Sequence, residues 1–218
     1  MKRRGKPKLL GILDTSLYRL PDCMEASNFD KCIDYEKFTR VVLELFNEVI
    51  ELRQRSKLKT FIKWSSYLSI TIIILVNGLR VREALRAAKR FYEYGDRRFT
   101  IQAEKGGDYR TVIIPEFLER EDLEHLYKEL IKHGEDKVTP RVEMWLYNVF
   151  KVNPHSLRYS YIRYHSLGGS SIEQLARALG LREPRNIKRY YLRGLQLQGE
   201  GEGNGGVSGD RESTVRMG

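Results

Sequence analysis

Two arginines and a histidine in this chain have the types and spacing needed to hold a phosphate group. Arg80 closes an NGLR motif after a long apolar run, and Arg158 stands three residues after His155 in an HSLR motif. A planar guanidinium makes bidentate, charge-assisted bonds to phosphate oxygens, and these bonds strengthen as negative charge builds up. His155 can bond a phosphate oxygen or help to deprotonate a nucleophile. The alternative for Arg80 is a surface or ion-pairing arginine, as at Arg82 and Arg86 nearby.

A lysine and a tyrosine elsewhere in the chain could supply the remaining chemistry. Lys105 lies beside a Gly-Gly pair between two strand-like segments, and Tyr190 lies in an NIKRYY motif. A lysine can protonate a leaving alcohol, and a tyrosine hydroxyl can attack phosphorus to form a covalent phosphotyrosyl bond. Neighbouring helical residues point about 100° apart, so Tyr190 and Tyr191 cannot both reach one phosphorus. Together, the lysine, the tyrosine and the three phosphate-binding candidates of the first paragraph predict that the protein cleaves and rejoins a phosphodiester without a metal or nucleotide cofactor.

Net charge and composition narrow the class of partner. Lys and Arg number 39 against 29 Asp and Glu, a formal charge of +10, which favours a polyanion such as nucleic acid. Cys23 and Cys32 are too few for a disulfide framework and lack zinc-site spacing, which favours the reducing cytoplasm. The apolar run at residues 68–76 is shorter than the roughly twenty residues of a membrane span. It therefore predicts a buried core helix and no membrane partner.

The elements that would position these residues are predicted to be mainly α-helical with one small antiparallel β-sheet, an α+β fold. Helical spacing of apolar residues, together with capping, Pro and Gly signals, defines the helices. They are predicted at residues 35–50, 64–75, 83–91, 119–133, 141–150 and 156–165, and from a capping box at 170–173 through 179. Residues 98–103 and 109–114 are predicted to form a β-hairpin, because a glycine pair lies in the turn between them.

Three regions follow from these patterns. Residues 1–34 are predicted to be a basic N-terminal arm, and residues 35–195 the domain that carries the chemistry. Residues 196–218 are rich in glycine and almost devoid of apolar side chains, so they are predicted to be a disordered tail.

The motifs together resemble the tyrosine recombinase, or phage integrase, family over residues 35–195. The resemblance rests on NGLR with Glu83, the hairpin lysine, the HSLR motif, a Leu-Gly pair at 179–180 and the terminal Arg-Tyr. It implies a catalytic domain in which the arginines and histidine cradle the scissile phosphate of double-stranded DNA. It also implies Lys105 as general acid and Tyr190 as the nucleophile of a 3′-phosphotyrosyl intermediate. A homo-tetramer on two DNA sites is implied as the working assembly.

The chain departs from the family pattern in two places. The family normally has His or Trp directly after the Leu-Gly pair, where this chain has Leu181; Arg182 could substitute and bind DNA, as in archaeal viral and plasmid integrases. The spacing from Leu181 favours Tyr190 as nucleophile, and the spacing from Arg182 favours Tyr191. Tyr190 is preferred because NIKRY resembles the residues that usually precede the family's tyrosine.

The second departure is length. Only a short stretch precedes Tyr35, where family members usually carry a core-binding domain. The chain therefore looks like a catalytic domain or a minimal recombinase.

Two other functions account for part of the pattern. Residues 171–180 and 182–191 also read as a helix-turn-helix with a basic second helix, typical of a DNA-binding protein without catalysis. A type IB topoisomerase shares the chemistry but relaxes supercoils without a sequence requirement. A covalent protein–DNA adduct separates the first alternative from a recombinase, and sequence-independent relaxation separates the second.

Overall fold

The computed structural model describes residues 33–56, 59–104, 108–185 and 187–192. Both cysteines, Lys105, the glycine-rich tail and nearly all of the predicted N-terminal arm lie outside the described residues. The helices are α1 Tyr35–Ser56, α2 Lys59–Asn77, α3 Val81–Tyr94, α4 Glu124–His133, α5 Glu135–Phe150, α6 Pro154–Leu167 and α7 Ile172–Ala178. The strands are β1 Arg98–Gln102 and β2 Tyr109–Ile113. Residues 187–192 are also helical.

Helix α2 is the centre of the hydrophobic core. Its run of β-branched and aliphatic residues is buried on all sides from Tyr67 to Leu75, and α1 packs along it through residues such as Phe38 and Leu45. The length and composition of α2 would also suit a membrane span, but 72% of its most apolar window is buried inside the protein. The burial supports the predicted core helix.

The predicted α+β fold is confirmed: the described chain is mainly helical, with a two-stranded antiparallel sheet. Phe99 pairs with Val112 and Ile101 with Arg110, and these four residues form the buried face of the hairpin. Because side chains alternate between the faces of a strand, this register places an arginine among the apolar residues of the buried face.

Several predicted boundaries need correction. Helix α1 extends to Ser56 rather than to residue 50, and α2 begins at Lys59 rather than at residue 64. Helix α5 begins at Glu135 rather than at residue 141, and Pro140 lies within it. A proline so near the start of a helix removes only one early hydrogen bond, while acidic residues in the first turn favour the helix N-terminus. The predicted helix over 119–133 is a 3-10 turn at Arg120–Leu123 followed by α4. The capping box of α7 is formed by Ser171 and Gln174, one position later than predicted.

The end of α2 turns the chain sharply toward the site. Gly78 has φ +59, and a Cβ at this position would lie 2.7 Å from Cδ1 of Tyr161. Only glycine fits both the left-handed backbone and the close approach of α6. Arg80 then caps α3, with its backbone N–H bonded to Glu83 Oε2 at 3.0 Å.

Candidate active site

A buried carboxylate, Glu83, organises the cationic groups of the site. Its Oε1 accepts hydrogen bonds from Arg80 Nη1 and from the backbone N–H of Glu104, both at 3.0 Å. Its Oε2 accepts from the backbone N–H of Arg80 at 3.0 Å and from Arg110 Nη1 at 3.3 Å. Glu83 has no exposed surface, so the carboxylate itself is shielded from water, and its bond with Arg110 is fully buried.

Arg158 reaches the same carboxylate from α6. Its Nη1 lies 3.7 Å from Glu83 Oε2 and donates to the carbonyl oxygen of Gly78 at 2.7 Å. Its Nη2 is buried and has no hydrogen-bond partner among the described residues. A buried donor without a partner costs free energy, so Nη2 is a destabilised donor in this state of the protein. We call Glu83, Arg80, Arg110 and Arg158 the Glu83 cluster.

Burial and charge act in opposite directions in this cluster. Burial lowers the pKa of Arg158 to about 9, and the charge of Arg80 adds to the effect while Glu83 opposes it. Arg158 therefore remains a cation at neutral pH. Burial would raise the pKa of Glu83, but the Arg80 N–H and the charges of Arg158 and Arg110 outweigh it, so that the pKa lies below its usual value. Three guanidiniums against one carboxylate leave the cluster with a formal charge of +2.

The cluster opens into a cleft of about 480 Å³, which we call the arginine cleft. It is lined by Arg80, His155, Arg158, Tyr159, Ile162, Leu181, Arg182, Glu183, Arg185 and Ile187. His155 is exposed in the first turn of α6, whose N-terminus is capped by the Asn153 side chain accepting from the Ser156 N–H at 3.0 Å. The structure thus brings Arg80, His155 and Arg158 to the same cleft. The three-residue spacing indicated this only for His155 and Arg158, and the family resemblance implied it for Arg80.

The two candidate nucleophiles differ in their surroundings. Tyr190 is 9% exposed, and its ring stacks on Tyr159 with centroids 3.6 Å apart and planes 10° apart. Tyr159 lines the arginine cleft and also stacks, at 6.2 Å, with His155. Tyr191 is half-buried and packs against the small apolar cluster that contains Tyr190. Tyr190 is therefore in direct contact with a wall of the cleft.

Leu181 and Arg182 both line the cleft at the position where the chain departs from the family pattern. Arg182 is exposed, and its Nε donates to Asp108 Oδ1 at 3.1 Å. The contact joins the turn after α7 to the start of the second hairpin strand. Lys105 itself lies outside the described residues, but Glu104 next to it bonds to Glu83.

Arg110 was not predicted as a site residue from the sequence, and Glu83 entered only as a member of the family motif. Arg110 is 3% exposed and binds both Glu83 and the carbonyl oxygen of Asn77. A signal for it exists in the sequence: two-residue alternation places Arg110 on the same face as Val112, and a charge on a buried strand face must be paired. Its partner could not be identified without the fold.

This arrangement can bind a phosphodiester and stabilise added negative charge on it. Two arginines and an exposed histidine converge from separate parts of the chain, and the fixed +2 cluster needs no rearrangement when charge develops. A tyrosine adjoins the cleft wall. These are the elements of a phosphoryl-transfer site built from side chains.

Comparison with known proteins gives two relatives of the chain. No protein-family model and no solved structure matches it. The chain is similar to "Putative integrase ORF241" of Acidianus two-tailed virus, with 29% identity over 162 residues, 74% of this chain and 63% of the viral protein. It is also similar to an uncharacterized protein of Methanocaldococcus jannaschii, with 26% identity over 191 residues, 76% of this chain and 84% of that protein. The chain spans less than two thirds of the viral relative's length.

Proposed function

We propose that this protein is a DNA strand transferase of the tyrosine recombinase type, acting as an integrase or related site-specific recombinase. The observation that carries the proposal is the convergence of Arg80, His155 and Arg158 at one cleft around buried Glu83. The similarity to a viral protein named as an integrase and the formal charge of +10 support it. DNA is the corresponding substrate.

In the proposed reaction, the scissile phosphate of duplex DNA lies between Arg80 and Arg158 in the arginine cleft. The Tyr190 hydroxyl loses its proton and its oxygen attacks phosphorus; the bond from phosphorus to the 5′-oxygen breaks, and a 3′-phosphotyrosyl bond forms. His155 binds a phosphate oxygen or takes the tyrosine proton. Attack by a 5′-hydroxyl from another strand reverses the step and joins the new strand. No external energy is needed, because one phosphodiester bond replaces another.

The two arginines and the general acid would account for most of the acceleration. A fixed donor whose hydrogen bond strengthens in the transition state commonly raises the rate about 10²- to 10³-fold. Lys105, placed next to Glu104 in sequence, would protonate the departing 5′-oxygen, an effect of about 10²- to 10⁴-fold. Arg182 would contact the DNA backbone near the cleft.

A second candidate function is DNA binding without catalysis. It is favoured by the low exposure of Tyr190 and by a run of exposed basic side chains near the cleft, at Arg177, Arg182, Arg185, Lys188 and Arg189. It leaves the +2 Glu83 cluster without a role, because a surface of exposed lysines and arginines is sufficient for binding. A homo-tetramer on two DNA sites, which the family resemblance implies, and a cytoplasmic location, which the low cysteine content favours, also belong to the proposal.

The test is capture of the covalent intermediate. The protein is incubated with nicked, end-labelled duplexes of randomised sequence, so that the short 5′-hydroxyl fragment diffuses away after cleavage and the adduct persists through denaturing electrophoresis. We expect an adduct with the wild type and with Tyr191→Phe, and none with Tyr190→Phe, while all three bind DNA alike. Sequencing the captured DNA then supplies a defined substrate.

The matched pair of tyrosine variants makes the result decisive. An adduct that persists in Tyr190→Phe and disappears in Tyr191→Phe reassigns the nucleophile within the same function. Absence of any wild-type adduct on the randomised pool, with DNA binding intact, would favour the non-catalytic alternative. Relaxation of supercoiled plasmid without sequence preference in the captured DNA would indicate topoisomerase activity instead.

A further inference from the structure

The third arginine of the Glu83 cluster has no role in the proposed chemistry, yet it is the one most enclosed by protein. Arg110 lies in β2, and its side chain is 1% exposed. It pairs with Glu83 and donates from Nη2 to the carbonyl oxygen of Asn77. It does not line the arginine cleft, so it cannot touch a bound phosphate there. Burying a guanidinium is costly, and both Nη groups of Arg110 are compensated by partners that adjoin the site, while its buried Nε has no hydrogen-bond partner among the described residues.

Both partners of Arg110 are also connected to the arginines that are proposed to bind phosphate. Asn77 and Gly78 are consecutive at the end of α2; the carbonyl of the first accepts from Arg110, and the carbonyl of the second accepts from Arg158 at 2.7 Å. The negative end of the helix dipole favours cations at this position. Arg80 follows two residues later. The two buried arginines therefore fix the turn from which Arg80 projects.

The second partner, Glu83, ties Arg110 to Arg80 through a single carboxylate. Glu83 Oε2 accepts from Arg110 Nη1 at 3.3 Å, and Oε1 accepts from Arg80 Nη1 at 3.0 Å. Without Arg110, Glu83 Oε2 would keep only its bond from the backbone N–H of Arg80. The carboxylate could then turn further toward Arg80 or Arg158 and neutralise the guanidiniums that hold phosphate. The formal charge of the cluster would also fall from +2 to +1.

Packing leaves Arg110 little freedom to move. Gly180 has φ +64, and a Cβ on it would lie 2.8 Å from Cβ of Ala103 and 3.4 Å from Cβ of Arg110. The turn after α7 thus packs tightly against the hairpin at the base of the Arg110 side chain. A side chain held in this way is suited to fixing its partners.

We propose that Arg110 is a positioning residue: by holding Glu83 and the end of α2, it keeps Arg80 and Arg158 directed toward a phosphate in the arginine cleft. The inference rests on the proposed strand-transfer function and deepens it. Arg110 affects the reaction through Glu83 and Asn77 and does not contact DNA.

The test compares Arg110→Met, which removes the charge and both bonds, with Arg110→Lys, which keeps the charge but cannot hold both partners. Arg97→Met is the matched control, because Arg97 also bonds two backbone carbonyls, those of Pro115 and Leu118, and does not line the cleft. For each variant we measure three quantities on DNA of the captured sequence. They are the rate at which bound DNA is cleaved, the Kd, and the slope of the logarithm of the association constant against the logarithm of salt concentration.

We expect Arg110→Met to slow cleavage of bound DNA about 10²-fold and Arg110→Lys about tenfold, the size of the effect of removing a fixed donor to a transition state. The Kd should change less than about threefold and the salt slope not at all, because only the removal of a side chain that binds a DNA phosphate lowers that slope, by about one. Arg97→Met should cleave at the wild-type rate. Wild-type cleavage by Arg110→Met, or a salt slope lowered by one, overturns the proposal. If Arg110→Met does not fold by circular dichroism, wild-type cleavage by Arg110→Lys overturns it.

Inorganic phosphate separates this inference from the proposed function. Orthophosphate should raise the Tm of the wild type and of Arg97→Met, and have a much smaller effect on Arg110→Met and Arg110→Lys, because the free anion depends on this one site whereas DNA contacts many. If the wild type forms no adduct, but orthophosphate stabilises the Arg110 variants much less than the wild type, strand transfer fails and the positioning role stands. If the adduct forms but phosphate stabilises Arg110→Lys as it does the wild type, the positioning role fails and strand transfer stands.

Discussion

Arg158 donates a hydrogen bond to the carbonyl oxygen of Gly78 over 2.7 Å, although the two residues are 80 positions apart in the chain. The bond connects α6, which carries His155, to the turn that carries Arg80. It requires the close approach of α6 that a glycine at position 78 permits. One contact therefore sets the distance between the two halves of the proposed phosphate site.

Gly78→Ala should damage both the fold and the site. The left-handed backbone costs an alanine about 1–2 kcal/mol, and a Cβ 2.7 Å from Tyr161 adds strain. Gly95→Ala is the control, because Gly95 also has a positive φ, +78, but no atom lies within 4 Å of its Cβ position. Urea unfolding should show a greater loss of stability for Gly78→Ala, and only this variant should slow DNA cleavage. Equal losses in both variants would show that packing against α6 is unimportant.

Glu83→Gln should change the pH dependence of stability. The pKa of Glu83 is below the usual 4.5 in the folded protein, so the carboxylate stabilises the fold above pH 4.5 and this contribution is lost as the pH falls through the lower folded pKa. The wild-type free energy of unfolding should fall as the pH drops below 4.5 and through the lower folded pKa, and the variant should show a smaller fall. At neutral pH the variant should be less stable by about 3–5 kcal/mol. Glu173→Gln, at an exposed position of α7, is the control; an unchanged pH slope in Glu83→Gln contradicts the assignment.

Lys105→Ala should slow cleavage of ordinary DNA strongly, but much less when the leaving 5′-oxygen is replaced by sulfur. A thiolate leaves without protonation, so the general acid becomes dispensable. Arg80→Ala is the contrasting variant, because loss of a phosphate ligand should slow both substrates. Single-turnover rates on the two substrates measure the difference. Equal slowing by Lys105→Ala on both would remove Lys105 from the acid role.

Arg182→Ala should lower the cleavage rate of bound DNA more than it weakens binding, if Arg182 supplies the donor that Leu181 lacks. Leu181→His should then restore part of the rate in the double variant. Arg90→Ala is the control, because Arg90 is likewise an exposed arginine paired with an aspartate, Asp96, at 3.4 Å. Wild-type cleavage by Arg182→Ala would show that the arginine only joins the α7 turn to Asp108.

The sequence by itself determined the features that depend on local spacing. The apolar run of α2, the hairpin, the glycine that ends α2 and the three-residue step from His155 to Arg158 follow from helical or strand periodicity and from turn chemistry. These patterns are repeated over many residues, so they survive small errors in element boundaries. They placed Arg80, Lys105 and His155 at helix starts and turns, whereas the burial of Arg158 and Tyr190 became evident only in the fold.

Tertiary structure alone decided which charges meet. Glu83 lies 27 residues from Arg110, and Tyr159 stacks on Tyr190 across the turn after α7. Such contacts depend on how helices and strands pack, and no periodicity within one element encodes them. The sequence also offers many arginines that could pair with Glu83, and burial selected three among the described residues. A buried ion pair is stable only where the fold also supplies hydrogen-bond partners for the other polar atoms of the charged groups. The packing of the whole chain decides where that condition is met.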